Sequence, residues 1–248
     1  MQPLLPSLIA AVLPANAQEI AAIVKLANAY DFPITVRSGG TSLADGAIPV
    51  CGGLVLCMDR LNKIIELNEE GMYMTVEAGV RTIDIQNAAH EKGLLYAGDP
   101  CSSDSCLIGG NLATNAGGNK AVRYGTTRHQ VYAIEAVLPT GKIVNLGATL
   151  QKCSTGFCLD QLIIGSEGTL GIITAATMKL FPQPAAQLTA FAAVPSMEAA
   201  VRLLGLAHQH LAAGLTGFEV MGRFALSLVV KHMPQLRVPF ADMADAPY

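Results

Sequence analysis

The chain has 248 residues, of which 51% are hydrophobic and 14% charged, and a formal net charge of −3. That balance argues against a nucleic-acid binder, which carries a basic patch or stripe, and no apolar run reaches the roughly 18 residues that cross a bilayer. So apolar a chain calls for a large core, or for a surface that something else covers.

The first stretch, residues 4–13, is apolar, and Ala15-Asn16-Ala17 imitates a small-residue cleavage site. No Lys or Arg precedes it, and Pro6 and Pro14 interrupt it, so it reads as a buried first strand over 8–13 rather than a signal peptide. Asn16 with Glu19 forms a capping box, and Ile20, Ile23, Val24 and Ala27 recur at helical spacing, so a helix runs to about Tyr30. Strands are expected over 33–37, 53–59 and 72–77, with the chain turning between the last two. Thr82 is placed as the cap of a helix running to Lys92, with Gly93 as its left-handed stop. A glycine-rich stretch covers 108–118. A hairpin follows, 131–138 and 142–146 joined by Pro139-Thr140-Gly141, and then a strand over 172–180.

Composition changes at Phe181-Pro182-Gln183-Pro184, which separates a domain over 1–183 from a second over 184–248. The second reads as strand (188–194), helix (196–213), strand (216–221) and helix (223–232). Two strands make at most a small sheet with exposed edges, so this domain looks incomplete or completed by a partner. The six cysteines, paired loosely as Cys51 and Cys57, Cys101 and Cys106, Cys153 and Cys158, lack the C-x-x-C spacing of a zinc or redox site. They read as reduced, mostly buried thiols of a cytoplasmic protein, and no metal site is expected.

Three glycine clusters carry the chemistry. The first is Arg37-Ser38-Gly39-Gly40-Thr41-Ser42, placed after a strand, where consecutive backbone N–H groups can converge on an anion such as a diphosphate. An ordinary glycine-rich turn fits the same residues. The loop is neither a Walker A motif nor G-x-G-x-x-G. The second is Ile108-Gly109-Gly110-Asn111 with Thr114-Asn115-Ala116-Gly117-Gly118, where a flat ligand can lie against backbone; a loop packed closely on a helix or sheet is the alternative. The third is Gly165-Ser166-Glu167-Gly168-Thr169-Leu170-Gly171, leading into Ile172-Ile173-Thr174. Its single Glu takes on meaning from the other two clusters.

With Asp99-Pro100, Cys106-Leu107 and Tyr124-Gly125 in the same order, these motifs resemble the FAD-binding (PCMH-type) domain of the vanillyl-alcohol oxidase/p-cresol methylhydroxylase superfamily. The likeness runs from about Val12 to Pro184. It is strongest to the branch holding the glycolate oxidase flavin subunit, D-lactate dehydrogenases and D-2-hydroxyglutarate dehydrogenases. It implies an α+β fold of two subdomains holding FAD, followed by an incomplete ferredoxin-like cap. Ser38, Gly39, Gly40, Thr41 and Ser42 would cradle the diphosphate. Pro100, Ser102, Gly109, Gly110, Asn111, Thr114, Asn115, Ala116, Gly117 and Gly118 would line the flavin and ribityl chain. Glu167, Gly168, Ile172 and Ile173 would close the adenosine and isoalloxazine ends. Some relatives attach FAD through a His that corresponds to Thr41, so non-covalent FAD is implied here.

The implied reaction takes a small 2-hydroxy acid to the 2-oxo acid, with a base removing the hydroxyl proton and a hydride passing to the flavin. Electrons would leave to a quinone, a cytochrome or an electron-transfer flavoprotein. The implied location is cytoplasmic, with membrane association through a partner as the alternative; a partner subunit or a homo-oligomer is also implied. Phe218-Glu219-Val220-Met221 resembles the start of the cap, whose substrate-binding Arg and metal-binding His and Glu lie farther along in that branch. Gly156-Phe157-Cys158-Leu159 departs from the usual Gly-Tyr-Asp-Leu, removing a buried acceptor. His90, His208, His210 and His232 read as solvated or structural, and so does His129, although it lies nearer the flavin; no catalytic base is named. A fold remnant without flavin stays open as a third reading, beside a shortened dehydrogenase and a module needing a partner.

Overall fold

The computed structural model describes residues 8–237. In chain order the elements are β1 (Leu8–Val12), α1 (Ala17–Tyr30), β2 (Ile34–Arg37), β3 (Gly53–Cys57), β4 (Ile64–Asn68), β5 (Tyr73–Glu77), α2 (Thr82–His90) and β6 (Leu94–Leu95). Then come α3 (Ile108–Ala113), α4 (Ala121–Tyr124), β7 (Val131–Val137), β8 (Ile143–Gly147), α5 (Asp160–Ile163), β9 (Ile172–Lys179), β10 (Phe181–Pro182), α6 (Met197–Leu211) and α7 (Arg223–His232). The chain divides into two compact units. The first runs to Gly118 and resumes over Tyr124–Gln183; the second takes Asn119–Arg123 and the residues from Pro184 onward.

The first unit is a mixed helix and strand structure with two cores. In one, the parallel sheet β1-β3-β2 is covered by α1. That helix starts where Asn16 Oδ1 accepts the Glu19 N–H at 2.8 Å, and Glu19 reaches back to the N–H of Ala15 at 2.8 Å. It stops at Asp31, whose φ is 52°. Its buried face, Ile20, Ala21 and Val24, meets Leu56, Met58 and Leu61 on one side and Val137 and Ile172 on the other. In the second core the antiparallel sheet β4-β5-β9-β7-β8 packs Met74, Val76, Ile134, Ala176 and Met178 against Ile85 and Ala89 of α2 and Ile108 and Leu112 of α3. A full buried aliphatic side chain contributes about 1.5–3 kcal/mol, so these clusters, not the short helices' own propensities, hold the site's scaffold.

The structure corrects several expectations. Residues 64–68, placed in a turn, form edge strand β4 against β5; the exposed Ile64 and Ile65 are strand formers that the polar residues around them obscured. Thr82 is not a cap. It is the buried first residue of α2, its hydroxyl held by the Asn111 amide at 2.7 Å. The glycine-rich stretch from Ile108 begins as helix α3, because the carbonyls of Val80 and Ala78 accept its leading N–H groups at 2.9 and 2.8 Å. The thiols are not mostly buried: Cys106 is, Cys57 is half-buried, and Cys51, Cys101, Cys153 and Cys158 are exposed. The apolar stretch over 4–7 lies outside the described residues.

In the second unit α6 begins at Ser196, whose hydroxyl accepts the Ala199 N–H at 3.2 Å, and α7 follows as expected. Neither 188–194 nor 216–221 is a strand. A strand needs a neighbour for its N–H and C=O groups, and among the described residues neither segment has one.

Candidate functional site

Three loops far apart in sequence meet in the first unit. The loop after β2 lies along the segment that enters α3: a side chain on Gly39 would sit 2.6 Å from the Ser105 carbonyl and 3.2 Å from the Leu107 nitrogen. Only glycine allows that approach. Ser38 packs its Cβ 3.0 Å from where a Gly110 side chain would begin, and the Ser102 hydroxyl reaches Thr41 Oγ1 at 3.4 Å. At the far end of α3, Gly118 lies so close to Asp99 that a side chain there would collide with the Asp99 carbonyl.

The third cluster is tied to the second by backbone hydrogen bonds. The Gly165 N–H donates to Leu112 O at 3.0 Å, and the Glu167 N–H to Ala113 O at 2.9 Å. Arg128 fastens the same junction. Its backbone N–H donates to Asn115 Oδ1 at 2.9 Å, while its guanidinium donates to the Gln161 and Ile164 carbonyls at 2.7 and 2.6 Å. Gly168 faces Val36 of β2, and the Glu167 carboxylate lies 3.3 Å from the Cβ position of Gly46. The first and third clusters therefore close on one another across the ends of β2 and α3.

The polar groups here divide into two kinds. Asn111 is buried, and its amide serves Thr82; Asn115 serves Arg128; the Thr114 hydroxyl donates to Gly110 O at 2.9 Å. Ile172 and Ile173 are buried, one in each core cluster. These contacts hold the backbone of the second and third clusters in place. By contrast, Ser38 Oγ and Ser166 Oγ are buried and find no hydrogen-bond partner among the described residues, an arrangement that costs about 1–3 kcal/mol per group unless something supplies the bond. Among the described residues, no acceptor takes the backbone N–H groups of Gly39, Gly40, Thr41 or Ser42. Open N–H groups beside a close backbone approach that only glycine permits suit an anionic, flat-ended cofactor.

A family model described as an FAD binding domain matches residues 8–147, more than half of the chain. The chain belongs to this FAD-binding domain family. Its curated relatives include a D-lactate dehydrogenase of Anaerostipes hadrus, 46% identical over 68% of this chain and 35% of the relative. A D-2-hydroxyglutarate dehydrogenase of Xanthomonas citri pv. viticola is 38% identical over 96% of this chain and 50% of the relative. The glycolate oxidase subunit GlcD of Bacillus subtilis is 41% identical over 78% and 41%. The solved structure of an alkyldihydroxyacetonephosphate synthase superposes with a TM-score of 0.62 at 30% identity, covering 71% of this chain and 34% of that one. The chain thus spans about a third to a half of the length of these relatives.

Sequence reading overlooked Arg128 and Ser166. Ser166 stands inside a motif already singled out, but an unpaired hydroxyl becomes visible only when its surroundings do. Arg128 carried no signal: the nearest partners of its guanidinium are backbone carbonyls, which every sequence has. His129 is exposed, and its carbonyl accepts from Lys179 Nζ at 2.8 Å. Burial holds that ammonium below the ordinary lysine range, and the charge of Asp160 opposes the shift. Phe157 and Cys158 are exposed, while neighbouring Asp160 is buried. Among the described residues, no helix is long and apolar enough to cross a membrane.

Proposed function

We propose that this chain is the FAD-holding part of a dehydrogenase that oxidises a small 2-hydroxy acid, of the D-lactate, glycolate or D-2-hydroxyglutarate type, to the 2-oxo acid. The observation that carries the reading is the meeting of the three glycine clusters around unpaired donors at Ser38 to Ser42 and Ser166. Names of relatives sharing 38–46% identity support the substrate class. Bound FAD supplies the two-electron acceptor. This chain's residues then do three things. The loop over Ser38, Gly39, Gly40, Thr41 and Ser42 holds the diphosphate through backbone donors. Pro100, Ser102 and the Gly109–Gly118 stretch form a close backbone wall for the flavin and ribityl chain, with Asn111, Thr114 and Asn115 keeping it in shape. Glu167 and Gly168, with the backbone at Ile172 and Ile173, border the remaining ends.

Thr41 stands where a covalent His would be needed, so the attachment is non-covalent. The second unit is the beginning of a ferredoxin-like cap, and further polypeptide, in the same chain or a partner, completes the substrate site. The alignment with the D-2-hydroxyglutarate dehydrogenase extends through it while covering half of that relative. A flavin-binding subunit that acts with a partner chain is the second reading, and the unpaired segments 188–194 and 216–221 favour it as much as the first. The electron acceptor is a quinone, a cytochrome or an electron-transfer flavoprotein, and the location is cytoplasmic.

Reconstitution tests this. FAD should give protein-bound absorbance bands at about 370 and 450 nm, and acid precipitation should release all the flavin into the supernatant. Absence of the bands removes the flavin assignment; flavin retained in the pellet removes the non-covalent one. Dye reduction with D-lactate, glycolate and D-2-hydroxyglutarate should be weak or absent from this chain alone. Robust turnover would show that no further polypeptide is needed.

A further inference from the structure

The loop after β2 has one cation. From Arg37 to Val50 the only basic residue is Arg37 and the only acidic one Asp45. Arg37 is exposed at the end of β2, yet its guanidinium folds back along the loop: a side chain on Gly40 would meet Arg37 Nη2 at 2.8 Å and Cζ at 3.0 Å. Gly40 has a φ of 64°, which turns the backbone so that neighbouring N–H groups can face one way. Among the described residues the guanidinium makes no ion pair and donates no hydrogen bond. An arginine fork beside open backbone donors, with no carboxylate to satisfy it, matches the geometry and charge of a phosphate. The loop's other end differs in sign, because the Glu167 carboxylate lies 3.3 Å from the Cβ position of Gly46.

We propose that Arg37 binds the cofactor's diphosphate directly with its guanidinium, and that the phosphates lie at the Gly40 end of the loop, away from Glu167. The proposal rests on the FAD reading and adds to it a side-chain ligand and a direction. A backbone nest alone is neutral; a guanidinium makes the affinity depend on charge and therefore on salt.

The test measures binding of ADP and of adenosine to the full chain by calorimetry, for the wild type, Arg37→Gln, Arg37→Lys and Glu167→Gln. Arg37→Gln should weaken ADP by about tenfold or more, the loss of a charge-assisted contact, while leaving adenosine unchanged. Arg37→Lys should recover part of the loss. The salt dependence of ADP binding should flatten in Arg37→Gln, which a purely structural change would not cause. Because Arg37 is exposed, the thermal midpoint of the cofactor-free variant should match the wild type. Equal ADP affinity in wild type and Arg37→Gln overturns the proposal and leaves the FAD reading standing. A larger effect of Glu167→Gln than of Arg37→Gln overturns the direction. Failure of the wild type to bind either ADP or FAD overturns both.

Discussion

The two units are both rich in apolar residues and dispose of them in opposite ways. In the first, strands and helices build two buried aliphatic clusters, in which Leu56, Met74, Ile85, Ile108 and Leu112 are almost wholly enclosed, and leave Leu26, Ile64, Ile65 and Leu162 exposed. In the second, Ala200 and Leu215 are the buried hydrophobic residues among those described, while Leu188, Phe191, Val201, Leu206, Phe224, Leu228 and Val230 face outward. The first unit encloses much of its apolar surface; the second, among the described residues, leaves most of its own exposed. Free energy in a core follows the apolar area removed from water, so the same residue type should matter greatly in one unit and little in the other.

The largest expected effect is at the centre of the first unit. Ile85→Ala leaves a cavity between α2 and the five-stranded sheet and should cost about 2–5 kcal/mol in urea unfolding; a loss below about 1 kcal/mol would mean the core is looser than its burial implies. Next is the cleft itself. Gly39→Ala forces a methyl within 2.6 Å of the Ser105 carbonyl and should weaken FAD binding about tenfold, or ~1.4 kcal/mol. Gly205→Ala, on α6 and with nothing within 4 Å of the added carbon, should not. Equal effects of the two would separate the cofactor from the loop contact.

Tyr96 gives a smaller change of opposite sign. It is buried, its hydroxyl finds no partner among the described residues, and burial, with a lesser contribution from Cys106, drives its pKa far above the ordinary tyrosine range. The folded state therefore keeps a proton that the unfolded chain loses. Stability from this group is full below about pH 10 and is lost as pH rises beyond it. Tyr96→Phe should raise stability by about 1 kcal/mol at neutral pH and flatten the alkaline decline; an unchanged alkaline limb would show that other groups cause it. The smallest effect belongs to the second unit: Phe224→Ser, at a position 77% exposed, should shift stability by about 0.5 kcal/mol or less while reducing self-association in light scattering. A large loss would mean that Phe224 is already packed.

How legible each part was follows from the range of the forces involved. α1 could be read because its cap, its 3.6-residue apolar period and its stop all lie within a few residues of one another, and the β7–β8 hairpin because Pro139-Thr140-Gly141 closes it locally. The three glycine clusters stood out because a close backbone approach demands glycine whatever lies on the other side. The strand-like stretches 188–194 and 216–221 misled because strand composition does not supply a partner. Thr82 looked like a cap, and only its contact with the Asn111 amide across 29 positions showed it as a buried partner inside the helix.

By itself, then, the sequence determined the local turns, the helix with its cap, and the places where backbone must come close to something. The tertiary structure decided what those places meet: Gly39 against Ser105, Gly165 against α3, Arg37 over Gly40, and hydroxyls at Ser38 and Ser166 buried without partners. The pairings of Gly39 and Gly165 join segments more than fifty residues apart. Their energies come from burial and exclusion of water, which no local pattern of residues encodes.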